Sequence, residues 1–239
     1  MMRKFSIQQG MTLIELMVSM VIGMFLILGA VTVYTQGRQN YQANEAVARL
    51  QENVRFSMSV MEPDIQLVGH WGLNNIGVDP ASITVAVSCD GTDVSDWALD
   101  VLNGVTAVDN IQAADADEVA DNCPAFGGGI VVDTDMLVLR HASGKEEVFN
   151  DGSIQVQSSH AESHLIDDGA MHPQHADLID GTTTQTYDLN VNAWYVSEDS
   201  NAMEGVPSLR RRTLIGDEMI DEEVIAGVEN MQIDRKSVV

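Results

Sequence analysis

One carboxylate stands near the start of an otherwise uncharged stretch of the chain. Glu15 is followed by residues 16–34, which carry no charge. At 1.5 Å per residue, a helix of that length can cross a bilayer. A charged side chain in a membrane helix costs roughly 2.5–3.5 kcal/mol, so such residues usually face a partner and have a function. Glu15 is therefore the first candidate for chemistry in this sequence.

Four of the six histidines lie close together in the segment SSHAESHLIDDGAMHPQHADLIDG. On a helix, His160 and His164 would share one face as half of a zinc site. His172 and His175 could then complete a tetrahedral coordination. The composition of the segment is that of a loop, however, in which histidines are usually solvated. These four residues are weak metal-site candidates, and we expect no bound metal.

Two other charged segments are weaker candidates. Residues 115–122, DADEVADN, alternate carboxylates but lack the glycine and the terminal glutamate of a calcium loop. The run Arg210-Arg211-Arg212 is the only basic cluster, and on a strand its first and third members share one face. These arginines could meet a partner protein, but we favour solvation or pairing with acidic neighbours in the same chain.

The common catalytic and nucleotide-binding motifs are missing from the sequence. It contains no nucleophile elbow, metalloprotease helix or Walker loop. Gly127-Gly128-Gly129 is followed by no lysine and no helix start, so it predicts a turn or a close backbone approach. We therefore expect neither an enzyme nor a bound cofactor.

The 239-residue chain is strongly acidic, with a formal net charge of -24. Between Phe56 and Leu209 the only cations are Arg140 and Lys145. Such a surface repels phosphates, so we expect no direct binding of nucleic acid. The length fits one domain of ordinary size together with a membrane segment.

A single long helix is predicted from about Thr12 to the mid-sixties. Its first half, residues 11–34, is the apolar, membrane-spanning part, and its second half, residues 35–68, is amphipathic. Apolar residues of the second half recur at steps of three and four and so form one stripe. They are Ala43, Val47, Leu50, Val54, Met58, Met61, Ile65 and Val68. Pro63 cannot donate a helical hydrogen bond, so we expect a kink or the helix end there.

Downstream of the helix, runs with a period of two residues predict strands. They are Ile83–Val87, Met136–His141, Glu147–Phe149, Ile154–Gln157, Leu189–Val196, Ser208–Leu214 and Val224–Ile233. A long helix followed by antiparallel strands predicts an α+β fold, with a β-rich globular domain over residues 69–233.

The N-terminal pattern combines a short basic leader, Gly10, an apolar residue and the run TLIEL, which includes Glu15. It resembles the class III signal of type IV prepilins and pseudopilins. The resemblance implies that a prepilin peptidase removes residues 1–10 by cutting between Gly10 and Met11 on the cytoplasmic face. Methylation of the new amine of Met11 would follow. Members of this family usually have phenylalanine at the position of Met11.

The same resemblance implies a role for Glu15. In related filaments this glutamate is thought to meet the N-terminal amine of a neighbouring subunit. That opposite charge offsets the desolvation of the carboxylate in lipid and fixes the axial register between subunits. The alternative is a plain membrane anchor in which Glu15 lies near the headgroups, beside the helix N-terminus.

Further segments resemble the PilW-type minor pilins of type IV pilus assembly. They are ARLQENVRFSMSVMEPDIQLVGHWG, DTDMLVLRHAS, YVSEDSNAMEGVPSLRRRTL and EEVIAGVENMQID, in that order. The resemblance implies a pilin-like fold and a minor pilin precursor that joins other minor and major pilins to prime pilus assembly. A minor pseudopilin of a type II secretion system shares every N-terminal feature and is the main alternative. A membrane-anchored metal-binding or adhesive surface protein is a second alternative.

The charges around the apolar stretch predict its orientation. Arg3 and Lys4 precede it, so we expect a cytoplasmic N-terminus and a translocated C-terminal domain. The protein would then be a single-pass inner-membrane protein with a periplasmic domain, which later reaches the pilus or cell surface. In that compartment Cys89 and Cys123, the only cysteines, are expected to form a disulfide, with two unpaired thiols as the alternative.

The last six residues, DRKSVV, are abruptly basic after an acidic sequence. They are the translation of a common sequencing adapter. We therefore interpret residues 234–239 as an assembly artefact and expect the natural protein to be longer.

Overall fold

The computed structural model describes residues 10–74, 77–78, 85–112, 123–160, 162–170 and 184–234. Its architecture is α+β, as the sequence predicted. The chain forms two compact units that divide between Arg55 and Phe56, within the long N-terminal helix. In its described part the first unit is helical. The second unit contains the end of that helix and all the described strands.

Helix α1 spans Leu13–Leu67, which confirms the predicted long helix. It does not end at Pro63, although the proline cannot donate to the preceding turn. Met61 and Asp64, on either side of Pro63, are buried against the sheet, and their contacts hold the last turn in helical form. Gly69 then adopts a left-handed conformation, with φ of 73°, just after the helix end.

The described strands form one mixed sheet. In chain order the elements after α1 are β1 Ser88–Cys89, β2 Thr92–Asp93, α2 Ser95–Ala98, β3 Val105–Val108, β4 Met136–Ala142, β5 Gln155–Ser158, β6 Ser163–Ile166, β7 Gln185–Ser197, β8 Ser208–Ile215 and β9 Glu218–Ala226. The main path is β2-β1-β9-β8-β7-β4-β3, and β5 joins β6 to the first part of β7. The expectation of a wholly antiparallel sheet is wrong at one pair, because Ser88 of β1 lies parallel to Glu218 of β9.

The predicted strands at β4, β5, β7 and β8 are confirmed, with shifts at their ends. The strand predicted at 147–149 is wrong, since that segment is irregular and Glu147 donates one backbone bond to Thr186 (2.8 Å). The strand predicted at 224–233 is wrong at both ends, because β9 begins at Glu218 and stops before Gly227, whose φ is 84°. Of the strand predicted at 83–87, residues 85–87 are irregular and the others lie outside the described residues. Strands β1, β2, β3 and β6 were not predicted.

The sheet buries apolar side chains on both faces. Strand β7 shows this best, because successive side chains of a strand point to opposite faces. Ala193 and Tyr195 belong to the larger core cluster, which also contains both cysteines, whereas Trp194 belongs to the smaller one. The smaller cluster consists of Met61, Leu137, Leu139, Trp194 and Leu209. The end of α1 is thus attached to the sheet through Met61.

The three glycines at 127–129 form a turn beside Asp199. Gly127 has φ of 64°, and a Cβ added there would lie 2.4 Å from Asp199 Oδ2. Gly128 donates its amide to the same carboxylate oxygen at 2.7 Å. Both parts of the prediction, the turn and the close backbone approach, are confirmed.

Candidate processing and assembly site

The residues of the N-terminal signal lie at the exposed start of α1. Gly10 and Met11 precede the helix, and Met11 is 72% exposed. The Thr12 carbonyl accepts the first helical hydrogen bonds, from Glu15 (3.1 Å) and Leu16 (3.2 Å). Glu15 therefore lies in the first turn, where the helix dipole favours a carboxylate. Within the described ranges, no ion-pair partner of Glu15 is found.

The surroundings of Gly10 do not require a glycine. A Cβ added at this position would meet no heavy atom within 4 Å. The residue is also outside the left-handed backbone region that favours glycine. In the part of the chain that the structure describes, neither packing nor backbone conformation explains why position 10 is glycine.

The apolar half of α1 is exposed along its length. Leu13, Met20 and Phe25 are 79%, 75% and 72% exposed, and an 18-residue apolar stretch of the helix has no buried residue. By length and composition α1 could cross a membrane, and a signal sequence or a buried core helix would satisfy the same criterion. The lack of burial argues against a core helix. Leaving this much apolar surface in water is unfavourable, at about 25 cal/mol per Å².

Two of the hydroxyl groups in this half of α1 bond to the helix itself. Ser19 Oγ donates to the Leu16 carbonyl at 3.0 Å, and Thr32 Oγ1 donates to the Leu28 carbonyl at 2.8 Å. These side chains therefore need no water to satisfy their hydrogen bonds. That is the condition for placing them in the hydrocarbon of a bilayer.

The structure separates the histidine candidates. His160 is exposed after β5, whereas His164 is buried on β6 with its Nε2 3.2 Å from Glu162 Oε2. The two do not share a helical face, because His164 is part of a strand. His172 and His175 lie outside the described residues, as do the acidic segment 115–122 and residues 235–239. In the described part of the chain, no group of three or more His, Cys, Asp or Glu residues could hold a metal ion.

A buried polar cluster that the sequence did not predict joins the end of α1 to the sheet. Asn192 of β7 donates Nδ2 to Asp64 Oδ2 at 2.9 Å, and His141 Nε2 of β4 lies 3.5 Å from Asp64 Oδ1. A buried carboxylate is costly unless it has such partners. The sequence feature that could have indicated this cluster is a carboxylate three residues after Met61, on the otherwise apolar stripe of the helix.

The three arginines pair with the acidic segment of the neighbouring strand. Across the β8–β9 hairpin, Arg210, Arg211 and Arg212 lie opposite Glu223, Glu222 and Asp221. Arg210 Nη1 is 3.3 Å from Glu223 Oε2, and Arg211 Nη2 is 2.8 Å from Glu222 Oε2. Arg212 Nε is 3.7 Å from Asp221 Oδ2. Pairing within the chain, which the sequence favoured, is confirmed.

Tyr195 on β7 is part of the same network. Its hydroxyl donates to Asp221 Oδ2 and accepts from the Phe126 amide at 3.3 Å. The Arg212 guanidinium lies 4.9 Å from the centre of its ring. Burial, and to a smaller extent the hydrogen bond to Asp221, raises the pKa of Tyr195 to about 12, although the charge of Arg212 opposes this shift.

We expect Tyr195 to make the fold sensitive to alkali. A folded-state pKa raised from 10.0 to about 12 means that the unfolded chain loses the phenol proton first. The stabilisation is fully present below pH 10 and decreases as the pH rises towards 12. Its full size is about 3 kcal/mol. Urea unfolding of the full-length protein in detergent at pH 8 and pH 11.5 measures the loss in the free energy of unfolding. The Tyr195→Phe variant should show a smaller loss between these two pH values. Equal losses in both proteins would contradict the prediction.

Arg140 on β4 is a buried cation that binds backbone carbonyls. Its Nε donates to Ala98 O at 3.2 Å, and its Nη1 donates to Asn103 O at 2.9 Å and to Thr106 Oγ1 at 2.9 Å. It also donates to Trp97 O. Burial lowers the pKa of Arg140 to about 10, so the side chain remains charged at neutral pH. Arg140 thereby holds α2 and β3 against β4.

We expect Arg140→Met to destabilise the globular unit by about 3 kcal/mol or more, because several buried carbonyls lose their donor. Lys145→Met is the matched control, since Lys145 has an 82% exposed side chain 3.4 Å from Glu147. An exposed pair of this kind contributes about 0–1 kcal/mol. Urea unfolding at pH 7, followed by tryptophan fluorescence, compares the two variants. Similar losses in both would show that Arg140 has no special role.

Cys89 and Cys123 form a disulfide, which confirms the predicted pairing. Their Cα atoms are 5.4 Å apart, and both residues are buried in the larger core cluster. The bond closes a loop with a sequence separation of 34. It therefore links β1 to the segment that precedes the Gly127–Gly129 turn.

We expect a double Cys89→Ala, Cys123→Ala variant to lose roughly 3–4 kcal/mol of stability, because the unfolded chain regains the entropy of that loop. Alanine is used because both positions are buried. The urea midpoint should shift to the same position as that of the reduced wild-type protein. An unchanged midpoint in the variant would contradict the prediction.

Residues 6–31 match the family model described as the prokaryotic N-terminal methylation motif. The match covers Gly10, Met11, Glu15 and most of the apolar stretch of α1. No curated protein and no solved structure matches the chain. The motif supports a prepilin-type pilin or pseudopilin precursor, and it points to a structural protein rather than to an enzyme.

Proposed function

We propose that this chain is a PilW-type minor pilin precursor that takes part in the assembly and priming of a type IV pilus. One observation carries the proposal. The methylation motif at residues 6–31 coincides with an exposed apolar helix whose first turn contains Glu15. Prepilin peptidase cuts between Gly10 and Met11, and the new amine of Met11 is methylated.

The exposure and backbone conformation of Gly10 support this processing step. Gly10 is exposed, has no neighbour that would exclude a side chain and is not held in a glycine-specific backbone conformation. A requirement of the peptidase therefore explains the glycine at position 10 better than a requirement of the fold does. Met11 is exposed as well, so the bond between the two residues is accessible to an enzyme.

Cleavage also supplies a partner for Glu15. In the precursor the Met11 nitrogen is a neutral amide, whereas the cleaved chain begins with a cationic amine. Within lipid, that amine on a neighbouring subunit neutralises Glu15 and fixes the offset between subunits. The partners of the mature chain are accordingly other minor and major pilins, and prepilin peptidase is the partner of the precursor.

The rest of the chain fits a location outside the cytoplasm. The α1 helix anchors the protein in the inner membrane, and the basic leader keeps its N-terminus on the cytoplasmic side. The globular unit from Phe56 onward is then periplasmic before it enters the pilus. The Cys89–Cys123 disulfide supports this location, because such bonds persist in oxidising compartments.

A type II secretion pseudopilin is the second candidate, since it would carry the same methylation motif. The genes that surround this one discriminate between the two systems. Minor pilin genes and a large tip adhesin favour the pilus, whereas secretion ATPase and secretin genes favour the pseudopilin. The metal-binding surface protein is less well supported, because His164 lies within β6 and not beside His160 on a helix.

The test of the proposal is co-expression of the full-length chain with prepilin peptidase. Intact-mass spectrometry of the membrane fraction should find a chain that begins at methylated Met11. An inactive peptidase variant is the control and should leave residues 1–10 attached. A chain that stays uncut with active peptidase, while a known prepilin is cut in the same cells, would overturn the proposal.

A further inference from the structure

The apolar stretch of α1 is followed by a segment with one charge and two tyrosines. Arg38 is the only charged residue between Glu15 and Glu45. Tyr34 lies four residues before it and Tyr41 three residues after it, so the three side chains share one face of the helix. The tyrosines are 71% and 70% exposed, and Arg38 is exposed as well. We call this feature the tyrosine–arginine face.

The helix offers Arg38 no acidic partner. The residues one turn away from it, at positions 34, 35, 41 and 42, are tyrosine, threonine, tyrosine and glutamine. Arg49 differs, because Glu45 lies four residues before it and Glu45 Oε1 is 2.7 Å from Arg49 Nη2. Within the described ranges, no ion pair of Arg38 is found. Its guanidinium is therefore available to an anion from outside the chain.

The length of α1 brings this face to the level of the lipid headgroups when the apolar stretch spans the bilayer. Along the helix axis Tyr34 lies about 30 Å from Leu13, which is the thickness of the hydrocarbon core. Arg38 is about 6 Å further on and Tyr41 about 10 Å. The headgroup layer is roughly 5–8 Å thick on each side of the core. Arg38 therefore lies at the depth of the phosphates, in the layer where tyrosines are enriched.

The position of Arg38 relative to the membrane also favours an anionic partner. Membrane helices concentrate lysine and arginine on the cytoplasmic side, where this chain has Arg3 and Lys4. Arg38 follows the apolar stretch and so lies on the other side, which usually has few cations. A phosphate neutralises the charge there, and the planar guanidinium can form two parallel hydrogen bonds to its oxygens.

We propose that the tyrosine–arginine face binds the phosphodiester of a phospholipid in the periplasmic leaflet. Arg38 donates to the phosphate oxygens, and the rings of Tyr34 and Tyr41 lie in the headgroup layer on either side of this contact. The contact fixes how far α1 extends from the bilayer. It rests on the proposed function only because α1 must span the membrane, and it requires neither cleavage nor Glu15. A carboxylate of a second copy is the competing partner, but the depth of Arg38 favours the lipid.

The test uses the full-length protein, labelled with ¹³C at Cζ of arginine, in vesicles of phosphatidylethanolamine and phosphatidylglycerol without phosphate buffer. All samples contain Arg3→Lys, which keeps the charge of the leader but removes its arginine. Solid-state NMR that recouples ¹³C with ³¹P should find an arginine Cζ about 4 Å from lipid phosphorus, as bidentate hydrogen bonds require. Arg38→Gln should lose this signal completely. Arg49→Gln, which removes an exposed arginine further along the same helix, should keep it.

Carbonate extraction of the vesicles checks that each chain is inserted. If the inserted protein has no arginine near phosphorus, or if Arg38→Gln leaves the signal unchanged, the proposal is overturned while the proposed function stands. If carbonate releases the chain, α1 does not span the membrane, and the proposed function fails together with this proposal. Cross-linked dimers that Arg38→Gln abolishes, with no arginine near phosphorus, would assign Arg38 to a carboxylate of a second copy. That result would also overturn the proposal.

Discussion

Changing Gly10 to valine will leave the leader attached in cells that contain prepilin peptidase. A Cβ at position 10 meets no heavy atom within 4 Å, so the valine disturbs no packing in the described structure. Residues 16–34 are unchanged, and insertion into the membrane should continue. The effect therefore falls on recognition by the peptidase, and we expect the cleaved fraction to fall to nearly zero. Intact-mass spectrometry of the membrane fraction measures that fraction directly.

Gly37→Val is the matched control for this experiment. Gly37 also lies on α1, and a Cβ added there likewise meets no heavy atom within 4 Å. The same substitution at this position should leave cleavage unchanged. If the Gly10→Val chain were recovered starting at Met11, the assignment of the cleavage site would be wrong.

The elements that the sequence predicted are those in which one pattern persists over many residues. Helix α1 combines an uncharged stretch with an apolar stripe, and both point to the same 55-residue helix. Strand β7 has 13 residues, and apolar and polar residues alternate over seven of them, 187–193. Strands β3 and β6 have four residues each, which is too short for a period of two to be distinguished from chance.

The pairing of the arginines could have been worked out by counting from the turn. Gly216 and Asp217 form a two-residue loop, because Ile215 pairs with Glu218, and Gly216 has φ of 68°. A glycine and an aspartate between two alternating runs are a known hairpin signal. From that loop, the three arginines fall opposite the acidic run DEE at 221–223. The prediction placed the last strand at 224–233, which left residues 221–223 outside any strand. The specific partners of the arginines were therefore not predicted.

The buried polar contacts of the globular unit could not be predicted in the same way. Asp64 and Asn192 bond to each other across 128 residues of sequence, and Arg140 reaches carbonyls that lie 37 to 43 residues away. Local sequence patterns contain no information on contacts between residues that lie so far apart in the chain. They identify only the anomaly, a carboxylate on an apolar stripe or an arginine within an apolar strand. The partners are determined by the topology of the sheet.

Changing Glu15 to alanine will leave insertion and cleavage intact but remove the chain from filaments. The substitution takes a charge out of a membrane helix, so insertion should be unchanged or improved. In the proposed filament, the Met11 amine of a neighbouring subunit would lose its counter-ion. Removing one partner of a buried pair costs about 3–5 kcal/mol, which corresponds to roughly a hundredfold or greater loss at each contact. The amount of this protein in sheared pili, relative to the membrane fraction, measures the effect.

Two further variants test whether the negative charge of Glu15, and not its size or polarity, is what filaments require. Glu15→Gln keeps the size and hydrogen-bonding oxygen of the side chain but removes its charge, so we expect it to fail as Glu15→Ala does. Glu45→Ala removes an exposed glutamate of α1 that pairs with Arg49 at 2.7 Å, and such a pair contributes only a few tenths of a kcal/mol. That control should enter filaments normally. Normal amounts of the Glu15→Gln chain in sheared pili would exclude the ion pair, because the uncharged amide cannot neutralise an amine within lipid.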